Sequence, residues 1–274
     1  MMEPMEADHP VHSGLRARCV HQLRLFFVAL QFFTRIPIPC WVGFDERWLQ
    51  HASRYFPAVG IVVGLACALV YILASLFWNQ SVAVLLSTIA GIYLTGAFHE
   101  DGFADTCDGF GGGMTEERVL DIMKDSRIGA YGAIGIGLML ALKWMTLSSL
   151  PSPSVVVALL IVHPFSRLAA ISLVWRMNYA KANGKAKPIG QTMSNGEFCI
   201  AGVTALLPIA LLVLTGWMPW EAIAAGILLA AVASLWLARM FQRRIGGYTG
   251  DCLGAVQQAT EVAFYLGILA ALAY

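Results

Sequence analysis

Seven stretches of this chain are apolar enough, and long enough, to cross a bilayer, and nothing else in it constrains the fold as strongly. They are residues 56–78, 82–98, 129–147, 155–175, 198–217, 220–238 and 255–273. A spanning helix needs about 20 apolar residues, and within hydrocarbon each backbone N–H and C=O must find its partner inside the segment. Charged residues make up 13% of the chain and hydrophobic residues 58%, where soluble domains carry about 25% charged residues. The predicted fold is all-α, a polytopic membrane helix bundle of about seven transmembrane helices. The second stretch is short and contains glycine, which predicts a central position away from lipid.

Residues 1–19 have no apolar core and read as a disordered tail; residues 20–274 read as a single integral-membrane domain. The run HQLRLFFVALQFFTRIPIP (21–39) is too short in its apolar part for a signal peptide, and no small-residue cleavage site follows. Arg24, Gln31 and Arg35 interrupt it, which predicts an N-terminal interfacial helix ended by Pro37 and Pro39.

The connections between spans alternate in character. Segments 79–81, 148–154 and 216–219 carry no charge. The others hold Glu116, Glu117, Arg118, Asp121, Lys124, Asp125 and Arg127; then Arg176, Lys181, Lys185 and Lys187; then Arg239, Arg243, Arg244 and Asp251. Lys and Arg favour the cytoplasmic side, so the charged connections are assigned there and the bare turns outside. This implies a multi-pass membrane protein with its charged connections, and the acidic motif that follows the second stretch, on the cytoplasmic side. A net charge of +1 offers nothing to nucleic acid, and six scattered cysteines without a CxxC pair offer no zinc or disulfide framework.

The segment HEDGFADTCDGFGGG (99–113) is where chemistry concentrates. His99, Glu100, Asp101, Asp105 and Asp108 gather at the cytoplasmic end of an apolar run, and carboxylates are costly near hydrocarbon. Asp101, Asp105 and Asp108 share one helical face. Like charges so placed repel, and a hard divalent cation bound through oxygen removes that penalty. Asp101, Asp105 and Asp108, with Glu100 as a further ligand, are the candidate metal site. A diphosphate bridged to that ion loses its charge barrier to nucleophilic attack. Gly109 and Gly111 would let backbone approach a phosphate closely.

Other polar groups fall around this centre. TEERV (115–119) reads as a helix start capped by Thr115. Lys124 and Arg127 could hold phosphate oxygens, and Asp125 could act as ligand or base. Arg35 and Arg54 flank the first polar connection. His163 and Arg167 lie one turn apart inside a span, beside Pro164. Lys143 reads as snorkelling from the outer end of its span. Asp251, in GGYTGDCLGA (246–255), could complete a metal or phosphate site, and Glu261 is an intramembrane carboxylate able to face the same cavity.

Five stretches give a family resemblance: FFTRIPIP (32–39), RYFPAVG (54–60), HEDGFADTCDGFGGG (99–113), IMKDSRIGAYG (122–132) and GGYTGDCLGA (246–255). In that order they resemble the cobalamin synthase family, the adenosylcobinamide-GDP ribazoletransferases. The resemblance implies a late step of vitamin B12 assembly with Mg2+ as cofactor. Adenosylcobinamide-GDP is joined to α-ribazole or its 5′-phosphate, and GMP leaves. It implies Asp101, Asp105 and Asp108 around magnesium with Glu100 as a further ligand, and Lys124 and Arg127, with Arg35 or Arg54, as phosphate contacts; Arg167, an arginine inside a span that needs a partner, is a further candidate substrate contact. Asp125 or Asp251 would be the base. The implied partners are these two substrates and the lipid bilayer, with other late cobalamin-pathway enzymes or a second copy of the chain left open.

Two rival readings carry weight at this stage. One is a CDP-alcohol-type lipid phosphotransferase, whose signature this motif partly shares; the arginine after the alanine is absent, since Asp105 follows Ala104. The other is a divalent cation transporter, which Arg167 and Glu261 within spans would permit.

Overall fold

The computed structural model describes residues 14–180 and 192–273. Among them it contains eleven α-helices: α1 (Leu15–Phe33), α2 (Glu46–Ala52), α3 (Phe56–Ser75), α4 (Gln80–Thr95), α5 (Phe98–Gly112), α6 (Glu116–Met123), α7 (Ala130–Ser149), α8 (Ser152–Arg176), α9 (Asn195–Thr215), α10 (Trp220–Ile245) and α11 (Gly250–Leu272). Six are long and apolar enough to cross a membrane, and the bent pair α4–α5 raises the count to seven. The all-α polytopic prediction holds. Residues 15–19 of the expected tail are already helical, because α1 begins at Leu15. Lys181, Lys185 and Lys187 lie outside the described residues.

Local signals set the helix limits. Asn79, Thr115, Ser194 and Thr249 each accept a backbone N–H at a helix start, as N-cap side chains do. Gly216 and Gly246 close α9 and α10 in the left-handed conformation that glycine takes without steric cost.

The second predicted span differs most from expectation. Gly96 (φ 66°) and Ala97 (φ 59°) are both left-handed, and the chain turns by 89° between α4 and α5. A left-handed alanine carries a steric cost that glycine does not. The surroundings over-determine it: Ala97 N–H reaches Ile92 O at 2.9 Å, and Arg35 N–H donates to Leu94 O at 2.8 Å. Nor is α4 central. Leu85, Ile89 and Tyr93, spaced at one turn, face outward. From the bend α5 runs obliquely, from Glu100 beside Gln258 of α11 to Asp108 at the start of α7.

Helices α8 and α11 form the buried centre. With no hydrophobic gain on offer between helices in lipid, close packing of small residues takes over. A Cβ at Gly60 of α3 would stand 2.5 Å from the His163 carbonyl oxygen and 2.7 Å from Pro164 Cα, both backbone atoms of α8. A Cβ at Gly267 of α11 would stand 2.6 Å from Gly226 Cα of α10.

The charged connections do meet at one end. Arg54 pairs with Glu197, Arg244 donates to Gly113 O at 2.6 Å, and Tyr179 bridges Tyr248. At the other end Tyr71 bonds Ser152, and Gln80 binds the carbonyls of Ser148 and Leu150.

Replacing Gly60 by alanine pushes α3 off α8. The expected loss is about 1–3 kcal/mol, the usual cost of overpacking. Thermal unfolding in detergent measures it; an unchanged midpoint would mean that the two helices can part without penalty.

Candidate functional site

Two glycines make the site. A Cβ on Gly102 of α5 would lie 2.9 Å from Asp251 Cα, and one on Gly254 of α11 would lie 3.0 Å from His99 O. With no side chain at either position the helices touch backbone to backbone. Asp251, in the first turn of α11, is thereby carried up to α5, the helix of Asp101 and Asp105. Thr249 caps this turn and its hydroxyl also lies 3.4 Å from the Asp251 carboxylate. Asp101 is exposed and Asp105 half-buried, so the acidic face opens outward.

Asp108 departs from that face. Its two oxygens accept the backbone N–H groups of Gly129 (2.7 Å) and Gly132 (2.8 Å) at the start of α7. Gly129 has no side chain able to cap the helix it starts; Asp108 does so from another helix. Glu100 points the other way, into the bundle, where Oε1 accepts from Gln258 at 2.8 Å and Oε2 is buried without a hydrogen bond. Gly109 and Gly111 are already filled by protein: Cβ atoms there would collide with Met123 and with the Tyr131 ring. They let α6 and α7 close on α5, and at buried Gly109 the Met123 side chain takes the space a phosphate would need.

The basic candidates are distributed around the same end. Arg35 stands at the α4–α5 bend, 5.0 Å over the Tyr93 ring. Arg54 is committed to Glu197 at 2.5 Å, which also takes His51 at 2.7 Å and completes a capping box with Ser194. Lys124 is exposed at the end of α6. Arg127 clasps Asp125 through its Nε and Nη2, at 3.0 and 2.7 Å, and donates its own backbone N–H as well. That clasp holds the Asp125 carboxyl down at about 2. A general base works best with a pKa near the working pH, so Asp125 is poorly suited to the role and better suited to holding Arg127.

Sequence reasoning missed the depth of a second polar cluster. Lys143 does not snorkel. It is buried and donates to Glu261 at 2.5 Å, because its side chain turns towards α11 instead of lipid. His163 Nδ1 lies 2.8 Å from the other Glu261 oxygen, and Gln257, one turn away, donates to it too. Arg167, 2% exposed, donates to His163 O at 3.0 Å, while its Nε has no partner. Ion pairs in a span are costly unless mutually satisfied. The signal for Gln257 and Gln258 was present, as two amides one turn from Glu261 inside an apolar run. For Lys143 only the identity of the facing helix could reveal it.

Among the described residues no three His, Cys, Asp or Glu side chains converge at metal-ligand distances. The donor chemistry still suits magnesium, which is usually held by one or two carboxylates together with substrate phosphates, not by an all-protein cage. Asp101, Asp105 and Asp251 supply oxygen donors only, and Asp101 is exposed.

The chain matches the family described as cobalamin-5-phosphate synthase over residues 25–269. It is 48% identical to the adenosylcobinamide-GDP ribazoletransferase of Shewanella frigidimarina, over 92% of this chain and 96% of that one. The same-named proteins of Leptothrix cholodnii and Ralstonia pickettii are 45% and 46% identical, over 93% and 89% of this chain and 98% and 94% of theirs. No solved structure matches.

Two substitutions separate stability from chemistry here. Asp108→Ala removes the cap of α7 and should cost about 0.5–2 kcal/mol, the ordinary cost of a lost helix cap. Lys143→Met strands Glu261 and should cost about 3–5 kcal/mol, as breaking a buried pair does. Denaturation in detergent reports both; a larger loss for Asp108→Ala would reverse the assignment.

Proposed function

Because the chain belongs to the cobalamin-5-phosphate synthase family, we propose that it transfers the cobinamide phosphate of adenosylcobinamide-GDP to α-ribazole or its 5′-phosphate, forming adenosylcobalamin or its 5′-phosphate and releasing GMP. The observation that carries the reading is the backbone contact at Gly102 and Gly254, which sets the turn that carries Asp251 against the helix that carries Asp101 and Asp105. A ribose hydroxyl attacks the phosphorus on the cobinamide side, and the bond from that phosphorus to the bridging oxygen of GMP breaks. Asp251 takes the hydroxyl proton. Asp101 and Asp105 are the residues that would hold magnesium. When bound, that ion would neutralise the diphosphate and stabilise the departing GMP anion. Lys124, Arg127 and Arg35 line the approach and attract the anionic donor. Asp108 and Glu100 support the site from behind, one by starting α7 and the other by fixing α11 through Gln258.

The lysines and arginines at this end support a cytoplasmic orientation in the inner membrane. The family match favours neither the lipid phosphotransferase nor the cation transporter reading.

Purified protein given both substrates should release GMP and form the corrinoid nucleotide. Chelation should stop it and magnesium restore it. Asp101→Asn and Asp105→Asn should each lower turnover at least a hundredfold with the unfolding midpoint unchanged; near-normal turnover in either would remove the metal assignment. Asp125 predicts an absence of pH effect. Its folded value of about 2 lies below the ordinary 3.8. Its pairing with Arg127 is thus fully present above the ordinary value and is lost only as pH falls through about 2. Asp125→Asn should leave the apparent pKa values of the pH–rate profile in place between about pH 5 and 9; a displaced limb would show that Asp125 titrates during turnover.

A further inference from the structure

An aromatic-walled cavity of about 180 Å³ lies beside the acidic face, between the end of α1, the last turns of α8 and the first turns of α11. Phe33, Phe56, Tyr179 and Tyr248 supply rings to its walls, and Ile171 and Val174 supply the α8 side. Its polar groups are concentrated where it meets the Lys143–Glu261 cluster. His99, Arg167 and Gln257 line both spaces and form the partition between them. The His99 ring lies parallel to Phe33, 10° apart in plane, with centroids 5.4 Å apart. Gly250, Leu253 and Gly254 form the α11 wall, so Asp251 belongs to the same helical turn.

Given the proposed function above, on which this rests, we infer that this cavity seats the base of the nucleoside acceptor, a flat fused-ring heteroaromatic. Three observations select that occupant. An apolar cavity of about 150 Å³ takes one benzene ring, so this one admits a small flat aromatic and is far too small for a corrin macrocycle. A lipid chain would have no use for a buried guanidinium with an unpartnered Nε at the inner wall, whereas an aromatic ring nitrogen accepts from such a donor and a ring face attracts its charge. A base seated against Gly250 and Gly254 lies on the helical turn that carries Asp251, the group proposed to take the hydroxyl proton. Apolar walls with a few convergent polar groups are the ordinary make-up of such sites.

The test narrows the cavity and asks which substrate notices. Val174→Phe should raise the KM for α-ribazole at least tenfold and leave the KM for adenosylcobinamide-GDP within twofold. A riboside of plain imidazole, lacking the fused ring, should lose less than threefold between wild type and variant. An unchanged α-ribazole KM, or equal losses for donor, α-ribazole and the small riboside, overturns the assignment. On the wild-type protein, a photoreactive azidobenzimidazole riboside should label α8 or α11 at the cavity and be displaced by α-ribazole. Labelling confined to other helices overturns the assignment even if the variant fails to fold. Failure of the wild-type protein to make product from its two substrates would refute the functional reading instead, and so is distinguishable.

Discussion

The backbone contact between α5 and α11 governs the rest of the site. Helices whose axes are kept apart by side chains could not bring Asp251 to Asp101 and Asp105, nor Gln258 to Glu100. Gly102 and Gly254 remove the obstruction from opposite sides, each against the other helix's backbone. The contact also fixes the depth of α5 and so determines that Asp108 arrives at the start of α7. One pair of missing side chains therefore sets an acidic face, a helix cap and an internal hydrogen bond together.

Behind that face the bundle is held by charge as well as by packing. Glu261 receives Lys143 and Gln257, with His163 alongside, in the most buried part of the chain. Such a cluster is a poor source of net stability, since desolvation offsets much of its attraction. What it supplies is register. Helix α7 contributes Lys143, α8 His163 and α11 the Glu261 they share, and sliding any of them by a turn would strand a charge.

Much of this could be read in the residues, and the limits have physical causes. Span existence was legible because hydropathy is a property of a segment, and the grouping of charged connections followed from composition. The acidic face was legible because Asp101 and Asp105 lie one turn apart. The division of labour among the acids was not, since the one that caps α7 is selected by a contact between helices far apart in sequence. The role expected of Gly109 failed for a similar reason: a missing Cβ shows that something comes close, but Met123 occupies the space. Lys143 was misjudged because its depth alone does not say whether the long side chain turns to lipid or to a partner. The break at Gly96–Ala97 was hidden by an alanine in a conformation that alanine rarely adopts.

The two ends of the bundle are built unequally. At one, helices are joined by residues 76–79, 150–151 and 216–219 alone, stitched down by Gln80 and Tyr71. Among the described residues the acidic face lies at the other end, with the charged groups of the long connections. On the proposed function, donor and acceptor then share one approach to it, and the order in which they pass one another becomes part of the catalytic cycle.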